Sequence, residues 1–275
     1  MVELDDLIQK ACEMRPLPAS AVRLASLVNS TDCSLNDVAD IVAYDQALTM
    51  RLLRAANSAA TSGSERLTRA ADAVFRLGFA RVLALTIALN VRDSLQRDVA
   101  AYGLAEGELW KHSVAAAAAA ETLFESAGVE LPPDTFTAAL LHDVGKLVMG
   151  RYLSTDDLDW IHRARTEGGL DALRAECEVL DVHHGELGGI IAQHWEMPER
   201  VVKGIIYHHT PAEGFDVVCD AVYLANLVAK TIDGSPLPPP AADSLERLEL
   251  PADKLDHLVT TTRERFQAIS ARYNV

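Results

Sequence analysis

The chain has 275 residues, 49% of them hydrophobic and 24% charged. That is the balance of an ordinary globular protein, long enough for one large domain or two modest lobes, and it argues against disorder over most of the length. Its 25 Lys and Arg face 40 Asp and Glu, a formal net charge of −15 that repels phosphate backbones and anionic bilayers; without a long basic run, neither nucleic-acid nor membrane binding is expected, whereas a small phosphorylated ligand in one cationic pocket is compatible.

Helical periodicity runs along almost the whole chain. Val38, Ile41 and Val42, then Leu48, Leu52, Leu53 and Ala56, recur at three- and four-residue spacing, with Ser34 and Asp45 at the N-caps of the two helices. Ala73 and Leu77 follow, Gly78 breaks the pattern, and Val82, Leu85 and Leu89 resume it. The composition changes from Arg97 to Gly107, and Leu104-Ala105-Glu106-Gly107 reads as a connection before a helix from about Glu108 that carries Trp110, His112 and an alanine run, with Gly128 as its C-cap. Pro132-Pro133-Asp134 opens the next helix, which contains Leu140-Leu141-His142-Asp143. Further helices are predicted over Asp156–Glu167, Leu170–Cys177, Gly185–His194, Glu199–His208 and Asp216–Thr231, then a stiff non-helical linker from Gly234 to Pro240 and a last amphipathic helix over Ala252–Tyr273. With 5% aromatic residues, abundant alanine and no alternating strand pair, the expected class is all-α: two lobes, 1–100 and 101–232, followed by a linker and helix over 233–275.

Cysteine usage and the chain's beginning bear on compartment. Cys12, Cys33, Cys177 and Cys219 form no CxxC pair, the opening Met1-Val2-Glu3-Leu4-Asp5-Asp6 is acidic, and no apolar run spans a bilayer. A reducing, cytoplasmic setting is expected.

The sharpest chemical feature is His142-Asp143, set with Lys146 in the otherwise apolar Phe136–Met149. Buried and unpaired, such groups would cost several kcal/mol each, roughly, so a metal, an ion pair or a polar network must satisfy them. An adjacent imidazole and carboxylate can face one divalent cation, with His112, His184, His208 and His209 as further ligands from other helices. Lys146, one turn after His142, would hold a phosphate oxygen. Plainer readings stand beside these: His112 as a polar partner for a helix end, His208-His209 suiting a helix C-terminus, Lys146 snorkelling from an apolar face, and His183 and His194 as surface residues. No cysteine has the electropositive setting of a nucleophile.

The order of His112, His142-Asp143, His184 and His208-His209 resembles the HD superfamily of metal-dependent phosphohydrolases, the later positions being those used by its two-metal HD-GYP branch. Leu17–Leu24, Asp45–Ala59, Ala73–Phe79, His184-Gly185-Glu186-Leu187-Gly188 and Trp195-Glu196-Met197-Pro198 narrow the likeness, over roughly residues 13 to 230, to HDOD proteins. The resemblance implies an all-α fold with a helical N-terminal lobe packed on an HD-type lobe, and a signalling role without an established common activity. Two departures count against catalysis. Asn226 stands where the closing Asp of the pattern is expected, six residues from Asp220, and no GYP follows His209.

Two functions are therefore expected from different classes. The first is a non-enzymatic regulator that binds a partner protein or a ligand, its HD site degenerate. The alternative is a metal-dependent phosphohydrolase in which His112, His142, Asp143, His184, His208 and His209 hold Mn, Fe or Mg, while Asp143 and Lys146 carry the catalytic roles.

Overall fold

The computed structural model describes residues 2–28, 33–57, 67–95, 99 and 102–273. Among them every regular element is helical, and the extended backbone that pairs is one isolated antiparallel bridge between Val99 and Leu104. Ser58 and Ala59, at the end of one segment that carries the HDOD resemblance, Arg97, and the Ala100–Ala101 junction lie outside the described residues.

The first half contains α1 (Leu4–Cys12), α2 (Ala19–Val28), α3 (Leu35–Ala43), α4 (Gln46–Ala56), α5 (Ala70–Leu77) and α6 (Phe79–Leu95). Both expected N-caps are made. The Ser34 hydroxyl accepts from the Asp37 N–H while the Asp37 carboxylate accepts from the Ser34 N–H, and the Asp45 carboxylate accepts from the Leu48 N–H at 3.0 Å. Gly78, at φ +77°, turns the chain between α5 and α6, a conformation that any side chain would strain.

The second half is built around α7 (Glu108–Ser126). Its stretch from Ser113 to Ala120 is buried throughout, because alanine presents so little bulk that helices approach closely from several directions. Packed on it are α8 (Asp134–Leu141), α15 (Val217–Ala229) and α17 (Leu255–Tyr273). The remaining helices are α9 (Lys146–Tyr152), α10 (Thr155–Thr166), α11 (Ala172–Leu180), α12 (His184–His194), α13 (Glu199–Ile206), the single turn α14 (Pro211–Gly214) and α16 (Ala242–Arg247). The halves join where α6 packs on α8, and α1 packs on α9 and α12. The Trp195 indole fixes this arrangement by donating to the Arg15 carbonyl at 3.1 Å.

Helical periodicity did not single out α1, α2, α14 or α16, which are short and draw their stability from neighbours, and the helix expected to contain His142-Asp143 instead ends at Leu141, those residues forming a turn before α9. Gly128 is not the C-cap expected of it. The α7 helix ends through Ala127 in extended conformation, and Gly128 is needed because a Cβ there would stand 2.6 Å from the Glu249 Cβ. The last helix starts at Leu255, after a 3₁₀ turn over Ala252–Lys254, and folds back on its own chain: Leu258, Thr262 and Phe266 are buried and Arg263 donates to the Thr231 carbonyl.

Candidate metal centre

Two helices and two corners bring the sequence-predicted histidines together. His112 comes from the second turn of α7, and His142-Asp143 from the corner between α8 and α9. His184 is the first residue of α12, and His208-His209 lie just past α13. Gly145 makes the convergence possible, since a Cβ on it would stand 1.9 Å from the His184 carbonyl oxygen and 2.7 Å from the Gly188 nitrogen. Only a glycine lets the His142-Asp143 corner lie directly against the start of α12.

The result is two clusters, His112/His142/Asp143 and His184/His208/His209, in each of which the potential ligand atoms lie within 4.8 Å of one another. Asp143 stands between them. Its Oδ2 is 3.6 Å from His112 Nε2 and 3.4 Å from His142 Nε2, and its Oδ1 is 3.4 Å from His184 Nε2 and 3.8 Å from His208 Nε2. Donors about 2.0–2.1 Å from a common ion stand about 2.9–3.4 Å from each other at tetrahedral or octahedral angles. The 3.2 Å between His112 and His142, 3.3 Å between His184 and His208, and 3.1 Å between His184 and His209, all Nε2 to Nε2, fall in that range.

Hydrogen bonding fixes the tautomers. His142 Nδ1 lies 2.7 Å from the Ala139 carbonyl, His208 Nδ1 2.7 Å from the Ile205 carbonyl and His184 Nδ1 2.7 Å from a Glu176 carboxylate oxygen, so each Nδ1 is a donor, and in the neutral ring the lone pair sits on Nε2. The two clusters differ in consequence. In the first, a protonated His112 Nε2 would donate to Asn226 Oδ1 at 3.1 Å or to His142 Nε2, so a polar network can satisfy it. In the second, the Nε2 atoms of His184 and His208 face each other at 3.3 Å beside Asp143 Oδ1, a buried carboxylate oxygen with no hydrogen-bond partner among the described residues. With the rings neutral, as metal ligands are, His209 can supply at most one proton to these three acceptors. An electron-rich hollow of this kind is what a cation satisfies, and the donor set fits a divalent metal.

Protonation of His208 or His209 does not relieve it. Burial, with neighbouring ring charge, holds His208 well below the usual imidazole value and His209 at about 2; burial takes His112 to about 3 against the pull of Asp143. Burial would raise the Asp143 carboxyl, but Lys146 and His142 outweigh it and hold it well below the usual carboxylate range. Asp143 is therefore ionised and these rings neutral near neutral pH, the forms that ligate metals.

Lys146 is paired rather than free: its ammonium donates to Asp143 Oδ2 at 2.6 Å and sits 5.3 Å from the Tyr102 ring centre. Like His112 it keeps partial contact with solvent, their side chains retaining 18% and 21% exposure. Asp220 is no substitute for the missing carboxylate, because Arg247 takes both its oxygens, at 2.7 and 2.9 Å. His194 is exposed, as expected, but His183 is not a surface residue: its half-buried ring caps α12, Nδ1 accepting from the Gly185 and Glu186 N–H groups. Sequence reasoning missed Glu176 and Tyr102. Glu176 does carry a signal, since it lies three residues after Leu173 and four before Leu180, a carboxylate on the apolar stripe of α11.

The family profile for the HDOD domain matches residues 14–211. A provisionally named phosphohydrolase from Shewanella amazonensis SB2B is 25% identical, with a TM-score of 0.67 over 97% of this chain and 94% of that one. Two further structures are below 25% identity and speak for the fold alone. A provisionally named signal transduction protein from Marinobacter aquaeolei VT8 has a TM-score of 0.75 at 22% identity, over 100% of this chain and 62% of that one. An HDOD domain protein with unknown function from Geobacter sulfurreducens has a TM-score of 0.65 at 21% identity, over 98% and 95%. A curated relative from Treponema pallidum (strain Nichols), itself uncharacterized, is 25% identical over 222 residues, and the chain spans 42% of its length. With an all-helical fold and a profile match over most of its residues, the chain belongs to the HDOD family.

Proposed function

We propose that this HDOD protein is a signal-transduction module whose HD pocket holds divalent cations and receives a small phosphorylated ligand there. The observation that carries the reading is the facing Nε2 atoms of His184 and His208 beside an Asp143 oxygen without a hydrogen-bond partner among the described residues. Asp143 is the only carboxylate in the two clusters, so two divalent cations would leave the pocket strongly positive, with the Lys146 ammonium already at its edge. An anion such as a phosphoryl group is the natural complement of that charge inside an otherwise acidic protein. The neutral Asn226, hydrogen-bonded to His112 where a further carboxylate is expected, weakens the first cluster and favours binding over turnover. The regulatory output would pass to a protein partner.

Phosphoester hydrolysis is the second reading, favoured by the shared carboxylate between two ligand sets. What bound divalent cations supply in such a centre is a water nucleophile at neutral pH and polarisation of the phosphoryl oxygens. Asp143 would hold both ligand sets in register, Lys146 would steady the phosphoryl charge that develops, and the Nδ1 hydrogen bonds of His142, His184 and His208 would keep their lone pairs aimed inward.

Elemental analysis of untagged protein purified without chelators tests the conclusion. Wild type should carry Mn, Fe or Mg near stoichiometry, and His208→Ala should lose most of it while staying folded. Folded wild type that takes up no divalent metal, even on dialysis against it, overturns the reading. Turnover of phosphomonoesters or phosphodiesters that disappears in His142→Ala would establish the second reading in place of binding alone.

A further inference from the structure

Glu176 is fully buried, on α11, outside both ligand clusters. One of its oxygens accepts from His184 Nδ1 at 2.7 Å and from the His184 backbone N–H at 2.8 Å; the other accepts from the Tyr102 hydroxyl at 2.9 Å. Tyr102 belongs to the connection between the two halves of the chain, where the backbone closes on itself through Val99 and Leu104. Its ring stands edge-on to His184 at 6.2 Å and lies under the Lys146 ammonium at 5.3 Å. Burial and the neighbouring Glu176 push the tyrosine hydroxyl well above its ordinary value, so it remains a donor. A buried carboxylate that spends one oxygen on a ligand histidine and the other on the connection links the two physically.

We infer that Glu176 is a positioning residue that fixes the tautomer and aim of His184, and that Tyr102, by holding Glu176, makes the His184/His208/His209 half of the pocket responsive to the segment joining the two halves of the chain. The inference rests on the metal reading above and adds an asymmetry to it. Glu176 touches none of His112, His142 or Asp143 by hydrogen bond, so its loss should weaken one cation and largely spare the other. Partners of ligand histidines typically set affinity by 10–100-fold, roughly. Coupling is reciprocal: a cation that stiffens His184 must also stiffen the connection.

The test is Co²⁺ titration followed by absorption spectroscopy, on wild type, Glu176→Ala, Glu176→Gln and Tyr102→Phe, with hydrogen exchange of the Val99–Leu104 segment recorded with and without Co²⁺. Glu176→Ala should bind one equivalent about 100-fold more weakly with an altered ligand-field spectrum, while the other equivalent shifts little. Glu176→Gln keeps an acceptor for His184 and should recover about a tenth of the affinity, and Tyr102→Phe should show a smaller loss of the same equivalent. In wild type, Co²⁺ should slow exchange at Tyr102 and Leu104, and in Glu176→Ala it should not. If Glu176 merely caps α12, thermal stability falls in Glu176→Ala with both equivalents and the spectrum unchanged, which overturns the inference. Should Glu176→Ala not fold, the Gln and Phe variants decide the matter by the same readings. Wild type that binds no Co²⁺ refutes the metal reading itself; wild type that binds it, with all variants alike, refutes this inference alone.

Discussion

Replacing Gly145 by alanine probes the contact on which the pocket depends. The added Cβ would stand 1.9 Å from the His184 carbonyl oxygen, whereas real Cβ atoms essentially never come closer than 3.0 Å, so the α8–α9 corner and the start of α12 must separate by more than 1 Å. Both obstructing atoms, the His184 oxygen and the Gly188 nitrogen, are backbone, and no side-chain rotation relieves them. Overpacking of this kind costs about 1–3 kcal/mol, here toward the upper end, or a melting point lower by about 4–5 °C. Function should suffer more than stability. Asp143 Oδ1 and His184 Nε2, now 3.4 Å apart, would move to about 4.5 Å, beyond the roughly 4.2 Å that one ion can bridge with bonds of about 2.1 Å. Co²⁺ titration with differential scanning calorimetry reads both effects, and Gly107→Ala is the control. Gly107 has φ +82° and open space around its Cβ position, so that change costs about 1 kcal/mol by conformation alone and leaves metal uptake intact. A Gly145→Ala protein with wild-type melting temperature and wild-type metal stoichiometry would refute the argument that this close approach assembles the centre.

Three further outcomes are expected. Asn226→Asp puts a charged oxygen beside His112 and should raise affinity for one cation about tenfold, read by competition with a chromogenic chelator; an unchanged affinity would remove Asn226 from the first cluster. Arg247→Ala strands the buried Asp220 carboxylate and should lower stability by about 2 kcal/mol in urea, discounted for the partial exposure of Arg247, with metal content unchanged. Asp157, although burial opposes it, is held below the ordinary carboxylate value of 3.8 by the Ser154 hydroxyl and by the Ser154 and Val2 N–H groups. Its contribution is whole above that value and lost as pH falls through the depressed folded one, so the stability gap between wild type and Asp157→Asn should close in acid; a gap independent of pH in urea midpoints would count against this capping role.

Much of this protein was legible in one dimension because its determinants are local. The all-helical class follows from three- and four-residue spacing, the caps at Ser34 and Asp45 from side-chain chemistry within three residues, and the breaks at Gly78 and Pro132-Pro133 from backbone restriction. His142 and Asp143 were legible because polar residues in an apolar segment demand partners, and the other histidines joined them through the order that resembles the HD pattern. Which partner each takes was not, because that depends on contacts between helices far apart in the chain. Only the folded chain decides that Asp143 stands between two clusters, that Asp220 belongs to Arg247, and that Glu176 and Tyr102, 74 residues apart, meet behind His184. Likewise the glycine of His142-Asp143-Val144-Gly145 carries no signal of its own within the apolar Phe136–Met149, and its reason appears only when the backbone of α12 arrives against it.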